Sequence, residues 1–72
     1  MLTINKDDLE GMGPCVGVTV KGINQANSIM KQLLKAGCFV AIFPYPMNQF
    51  RIITKQDSKT ILESILDGFR RF

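Results

Sequence analysis

The stretch from Leu33 to Thr54 most narrows what this chain can fold into. It reads Leu-Leu-Lys-Ala-Gly-Cys-Phe-Val-Ala-Ile-Phe-Pro-Tyr-Pro-Met-Asn-Gln-Phe-Arg-Ile-Ile-Thr. A helical pattern stops at Gly37, an apolar run follows, Pro-Tyr-Pro-Met-Asn turns the chain, and a second apolar run returns. Glycine just past a helical pattern is a stop signal, because the residue there adopts positive φ. The stretch therefore predicts a helix feeding the centre of a sheet.

The first run, Cys38 to Tyr45, is the longest strand candidate. Cys38, Val40 and Ile42 share one face, and Phe39, Ala41, Phe43 and Tyr45 share the other. Two apolar faces mark a central strand or one with an interaction face. Pro44 and Pro46 cannot donate to a ladder, so the strand ends there or lies on an edge. Asn48 tolerates the positive φ of the turn. The return strand runs from Phe50 to Lys55, with Phe50, Ile52 and Thr54 alternating against Arg51, Ile53 and Lys55.

Upstream, Cys15 to Lys21 alternates with period two: Val16, Val18 and Val20 point one way, and Cys15, Gly17, Thr19 and Lys21 the other. β-Branched residues in that rhythm make a half-buried strand. Gly17 leaves either a bulge or a shallow place where a backbone or flat ligand can approach. A helix is expected from near Asn24, capped by Asn24 or Gly22, with Ile23, Ala26, Ile29, Met30, Leu33 and Leu34 on its buried face. The last helix is expected to open at Asp57 and to bury Ile61, Leu62, Ile65, Leu66 and Phe69.

The segment before the first strand is less informative. Leu2-Thr3-Ile4 reads as a short edge strand or flap. Asn5 to Glu10 reads as one helical turn capped by Asn5, ended by Gly11-Met12-Gly13-Pro14. It is expected to be a solvated lead-in. Glycines 11, 13 and 17 precede a strand instead of following one, which is the wrong context for a phosphate-binding loop.

Together these elements predict an α+β fold, a two-layer αβ sandwich in the order β-α-β-β-α. Two helices lie on one face of a mixed three-stranded sheet, with a possible short N-terminal fourth strand or flap. A strand-helix-strand unit is right-handed and puts two parallel strands in one sheet, and the two amphipathic helices share one face. Residues 1–72 form a single small domain, with 1–13 as the lead-in.

Several function classes are excluded by composition. At 72 residues the chain buries only roughly 60% of its unfolded surface, so its stability is marginal. A hydrophobic share of 46% argues against disorder. No apolar run reaches the ~18 residues of a membrane span, and the N-terminus has no signal-peptide pattern; the expected location is cytoplasmic. Two cysteines and no histidine make neither a disulfide framework nor a zinc site. They also deny the chain the usual general base near neutral pH. Cys15 and Cys38 are expected as reduced, half-buried residues on neighbouring strands. No catalytic, cofactor or metal residues are assigned, and no enzyme activity is expected. The net charge of +3 mildly favours an anionic partner.

What remains is a surface. The three valines must face the helices, and Phe50 and Ile52 must do so too, or Arg51 and Lys55 would be buried. The opposite face then shows Thr19, Lys21, Arg51, Ile53 and Lys55. The row Phe39-Ala41-Phe43-Tyr45 is expected there as well, the alternative being that this row is core. Lys21, Phe39, Phe43, Tyr45, Arg51, Ile53 and Lys55 are thus the candidate macromolecule-binding residues.

Leu-Leu-Lys-Ala-Gly-Cys-Phe-Val, then Phe-Arg-Ile-Ile-Thr, then a helix opened by Asp57, resembles the C-terminal small domain of pyridoxal-phosphate aminotransferases. The resemblance covers about half the chain. It implies Arg51 as the match of a strand arginine that binds a substrate carboxylate in that family. These 72 residues hold no large cofactor domain with a Schiff-base lysine, so no cofactor or activity carries over.

Two functions fit the surface. One is a small non-enzymatic protein-binding or self-associating module, an adaptor, regulator or inhibitor, whose open face gains stability by being covered; a homodimer is one form. The other is a single-stranded nucleic-acid-binding domain, in which Phe43 and Tyr45 stack bases while Lys21, Arg51 and Lys55 meet phosphates.

Overall fold

A computed structural model describes residues 4–70. Leu2 and Thr3 of the expected flap lie outside the described residues. The elements are α1 (Lys6–Glu10), β1 (Cys15–Lys21), α2 (Ile23–Lys35), β2 (Val40–Tyr45), β3 (Gln49–Lys55), a 3₁₀ turn (Gln56–Ser58) and α3 (Lys59–Arg70). The fold is α+β, with three strands in one open sheet in the order β1-β3-β2.

The sheet is antiparallel throughout, not mixed. β3 pairs with β1 on one side and with β2 on the other, antiparallel in both cases. β1 and β2 therefore run the same way, as a strand-helix-strand crossover requires, but β3 separates them. The central strand is β3, and β2 is an edge. Burial explains the choice. Ile52 and Thr54 are fully buried on one face of β3, and Ile53 is 6% exposed on the other. Pro44, on β2, has no N–H to lose at an edge.

The helix-side core joins Val20, Val40 and Ile52 of the strands to Ala26, Ile29 and Leu33 of α2 and Leu62 of α3. Val16, Val18, Ile42 and Phe50 pack against it, as the alternation predicts. Ile23 and Ile61, expected on the buried stripes, are instead 47% and 38% exposed. Each lies in the first turn or so of its helix, at the margin of the apolar stripe.

The ends of α2 follow from two glycines. Gly22 is its N-cap at φ +80°, with no side-chain cap bond. Gly37 sits at φ +83°. Past it, Cys38 N–H donates to Leu33 O and Gly37 N–H to Leu34 O, both at 3.0 Å. That pair of bonds satisfies carbonyls the helix cannot. It also holds Cys38 and Phe39 outside β2. Cys15 and Cys38 are free thiols, half-buried and buried, and do not sit on neighbouring strands. Asp57 falls within the 3₁₀ turn, two residues before α3 begins at Lys59, so it is not the immediate cap of that helix. Asn5 is the N-cap of α1, without a side-chain cap bond.

The other sheet face carries a second, smaller core. Leu9 of α1 is fully buried and packs with Ala41 and Ile53, with Ile4, Cys15 and Phe43 around them. The segment expected to be a solvated lead-in is thus a partial cover. Ile4 N–H also donates to Val40 O at 3.1 Å, which ties the start of the cover to the outer edge of β2.

Removing Leu9 tests this second core. Leu9→Ala is expected to cost about 2–4 kcal/mol in urea unfolding. A cost under about 0.5 kcal/mol would mean that α1 is not seated on the sheet.

Candidate macromolecule-binding surface

The face opposite α2 and α3 is built in cross-strand rows. Nearest the β2–β3 hairpin lie Lys21, Gln49 and Tyr45. Next come Thr19, Arg51 and Phe43, and then Gly17, Ile53 and Ala41; Cys15 and Lys55 end the face. The aromatic row of β2 therefore points away from the helices. Valines and isoleucines fill the side that α2 and α3 cover, which leaves the ringed side of β2 outward.

The seven expected residues fare differently. Lys21 and Tyr45 are exposed, and Phe43 and Arg51 are half-buried. Phe39, 38% exposed, precedes β2, and its backbone carbonyl accepts a hydrogen bond from Thr54 Oγ1. Ile53 does not belong to the accessible set, because Leu9 covers it. Lys55 is also withdrawn from solvent. Its Nζ is buried with no hydrogen-bond partner among the described residues, and a Cβ on Gly13 would lie 3.2 Å from it.

Arg51 is held down against the sheet. Its Nη1 donates to Thr19 Oγ1 at 3.1 Å, and a Cβ on Gly17 would lie 3.0 Å from the guanidinium. Gly17 makes no bulge, since the β1–β3 register is unbroken. The shallow place above it is filled by the chain's own arginine. Phe43 is engaged as well: Lys6 Nζ of α1 stands 5.5 Å from its ring centroid, within cation–π range.

The hairpin tip projects beyond this self-satisfied zone. Pro44, Tyr45, Pro46, Met47 and Asn48 are all exposed, with Tyr45 at 48% and Met47 at 88%. Met47 and Asn48 both sit at positive φ, +64° and +59°. Asn48 fits that geometry and Met47 does not. Sequence reasoning missed Leu9, Lys6 and Met47. Leu9 had a signal, as the one apolar residue in a five-residue helix.

Among the described residues, no group of three His, Cys, Asp or Glu could hold a metal ion. Cys15 Sγ lies 3.5 Å from Gly13 O and 3.6 Å from Leu9 O, tying the end of the cover to β1. No helix among the described residues is long and apolar enough to cross a membrane. Comparison with protein-family models, with curated proteins and with solved structures finds no match. The aminotransferase resemblance rests on the residues quoted for it.

The Arg51–Thr19 contact is open to a double-mutant cycle. Thr19→Val and Arg51→Met, with unfolding followed in urea, are expected to show a coupling of about 0.5–1.5 kcal/mol. Additive effects would mean that the guanidinium is free in solution.

Proposed function

We propose that this chain is a small, non-enzymatic protein-binding module of the cytoplasm. It takes its partner on the exposed hairpin tip, Pro44 to Asn48, with Tyr45 and Met47 as its apolar anchors. Met47 carries the reading. An L-residue with a long apolar side chain costs about 1–2 kcal/mol in the left-handed region. Glycine or asparagine would fill the turn more cheaply. The chain instead holds a methionine there, 88% exposed, beside an exposed tyrosine and two exposed prolines. Strain of this kind clusters at functional positions, and tyrosine and methionine are favoured at protein interfaces. From Pro44 to Phe50 there is no charged side chain, while the exposed Lys21 flanks the tip. That pattern suits a partner with an apolar depression rimmed by carboxylates.

The single-stranded nucleic-acid reading is less well supported. Stacking needs free ring faces and phosphates need free cations. Here Lys6 stands over Phe43, Arg51 is folded onto Gly17 and Thr19, and the Lys55 ammonium is buried.

Met47→Gly is expected to raise stability by about 0.5–1 kcal/mol. A photo-crosslinking residue at position 47 is expected to capture one defined protein from the source cell. The purified form of that protein should then bind the wild-type chain, and Tyr45→Ala should weaken the complex at least about tenfold. A labelled random-sequence single-stranded oligonucleotide serves as the competing probe. Saturable, salt-sensitive binding lost in a Tyr45→Ala, Arg51→Ala variant would overturn the protein reading in favour of nucleic acid.

A further inference from the structure

The two edges of the sheet are not equivalent. Gly22 N–H donates to Asn48 O, and Gln56 N–H donates to Pro14 O. These bonds bracket the β1–β3 ladder, in which Val16, Val18 and Val20 pair with Thr54, Ile52 and Phe50. Hydrogen-bonded and non-hydrogen-bonded pairs alternate along an antiparallel ladder. The even residues of β1 therefore exchange bonds with β3. Cys15, Gly17, Thr19 and Lys21 direct their N–H and C=O groups to the free side. Among the described residues, no backbone partner lies there.

The same parity on β2 gives a blunted edge. Its outward groups belong to Val40, Ile42 and Pro44. Val40 O already accepts from Ile4, and Pro44 has no N–H. β1 has none of the usual protections, such as a proline, a bulge or a mid-strand charge. Its seven residues carry a single charge, Lys21, at the end.

We propose that β1 pairs antiparallel with β1 of a second copy, making a six-stranded sheet about a two-fold axis at Val18. This rests on the free backbone of β1 and not on the strained hairpin tip, so it stands apart from that reading; only Lys21, at the end of β1, borders both.

The second copy is the favoured occupant because β1 complements itself in one register. With Val18 on the axis, Gly17 meets Thr19 of the copy and Cys15 meets its Lys21. The outward-directed groups then form four hydrogen-bonded pairs, about eight bonds. Val16 meets Val20 and Val18 meets Val18, so the valine stripe runs unbroken across the axis. The two Lys21 residues sit at opposite ends of the junction, which keeps like charges apart. Moving the axis to Gly17 or Thr19 shortens the ladder. Burial on β1 agrees: Val20 is 7% exposed, whereas Val16 and Val18 are only half-buried by α2 and α3. A two-fold axis normal to the sheet also keeps both helix layers on one side and both open faces on the other.

Three variants and the wild type test this. In sedimentation equilibrium from about 10 to about 500 μM, the mass is expected to rise from 8.1 kDa toward twice that value. Thr19→Pro removes an outward N–H and leaves the β3 ladder intact, so it should stay monomeric with an unchanged circular dichroism spectrum. Lys21→Cys should oxidise to a dimer whose peptide map joins the introduced thiol to Cys15 of the other copy, at a Cα spacing of about 5.5 Å that suits a disulfide. A wild type that stays monomeric throughout overturns the proposal. So does a dimer that survives Thr19→Pro, or a Lys21→Cys dimer bridged at any other pair. Tyr45→Ala should leave the dimer unchanged. Loss of the dimer in Tyr45→Ala but not in Thr19→Pro would place self-association on the hairpin tip instead.

Discussion

The whole structure depends on β3 being enclosed on four sides. Its backbone is paired along both edges, and its side chains are buried on both faces. Ile52 packs with residues of α2 and α3, Thr54 is fully buried on the same face, and Ile53 lies under Leu9. In a chain this short, one such strand concentrates much of the available burial in one place. The two neighbouring strands, the crossover helix and the N-terminal turn of helix are then arranged around it. The antiparallel order follows, because the hairpin fixes one neighbour of β3 and the crossover delivers β1 to the other side.

The enclosure leaves two kinds of surface. The middle of the outer face is largely satisfied from within, by Leu9 over Ile53, Lys6 over Phe43, and Arg51 over Gly17. Exposed and strained chemistry lies at the hairpin tip, and backbone without a partner among the described residues lies along β1. Under the proposed binding role, there is reason to keep such surfaces at the periphery. Partners can then be changed there without loosening the strand on which the fold relies.

Much of this was legible in the residues. The period-two valines, the 3.6-residue stripes of α2 and α3 and the glycine at the end of α2 are local signals, and each element was placed to within about two residues. The outward aromatic row followed from counting which faces already had apolar cover. Other features were not legible. Both faces of Cys38 to Tyr45 are apolar, which looks central, yet the strand is an edge because its outer face is sheltered by α1 and its outward backbone includes a proline. Lys55 reads as a surface cation, but its amino group is buried, close against Gly13. Gly17 reads as an open notch, and Arg51 fills it from the neighbouring strand.

The elements, their faces and the class of fold were set locally, since periodicity, caps and turn residues act over a few positions along the chain. Strand order, the cover on the second face and which of the surface cations are free were settled by three-dimensional packing. Those depend on residues far apart in sequence competing for the same buried area, with Leu9 on Ile53 as the clearest case. No local pattern reports the outcome of that competition.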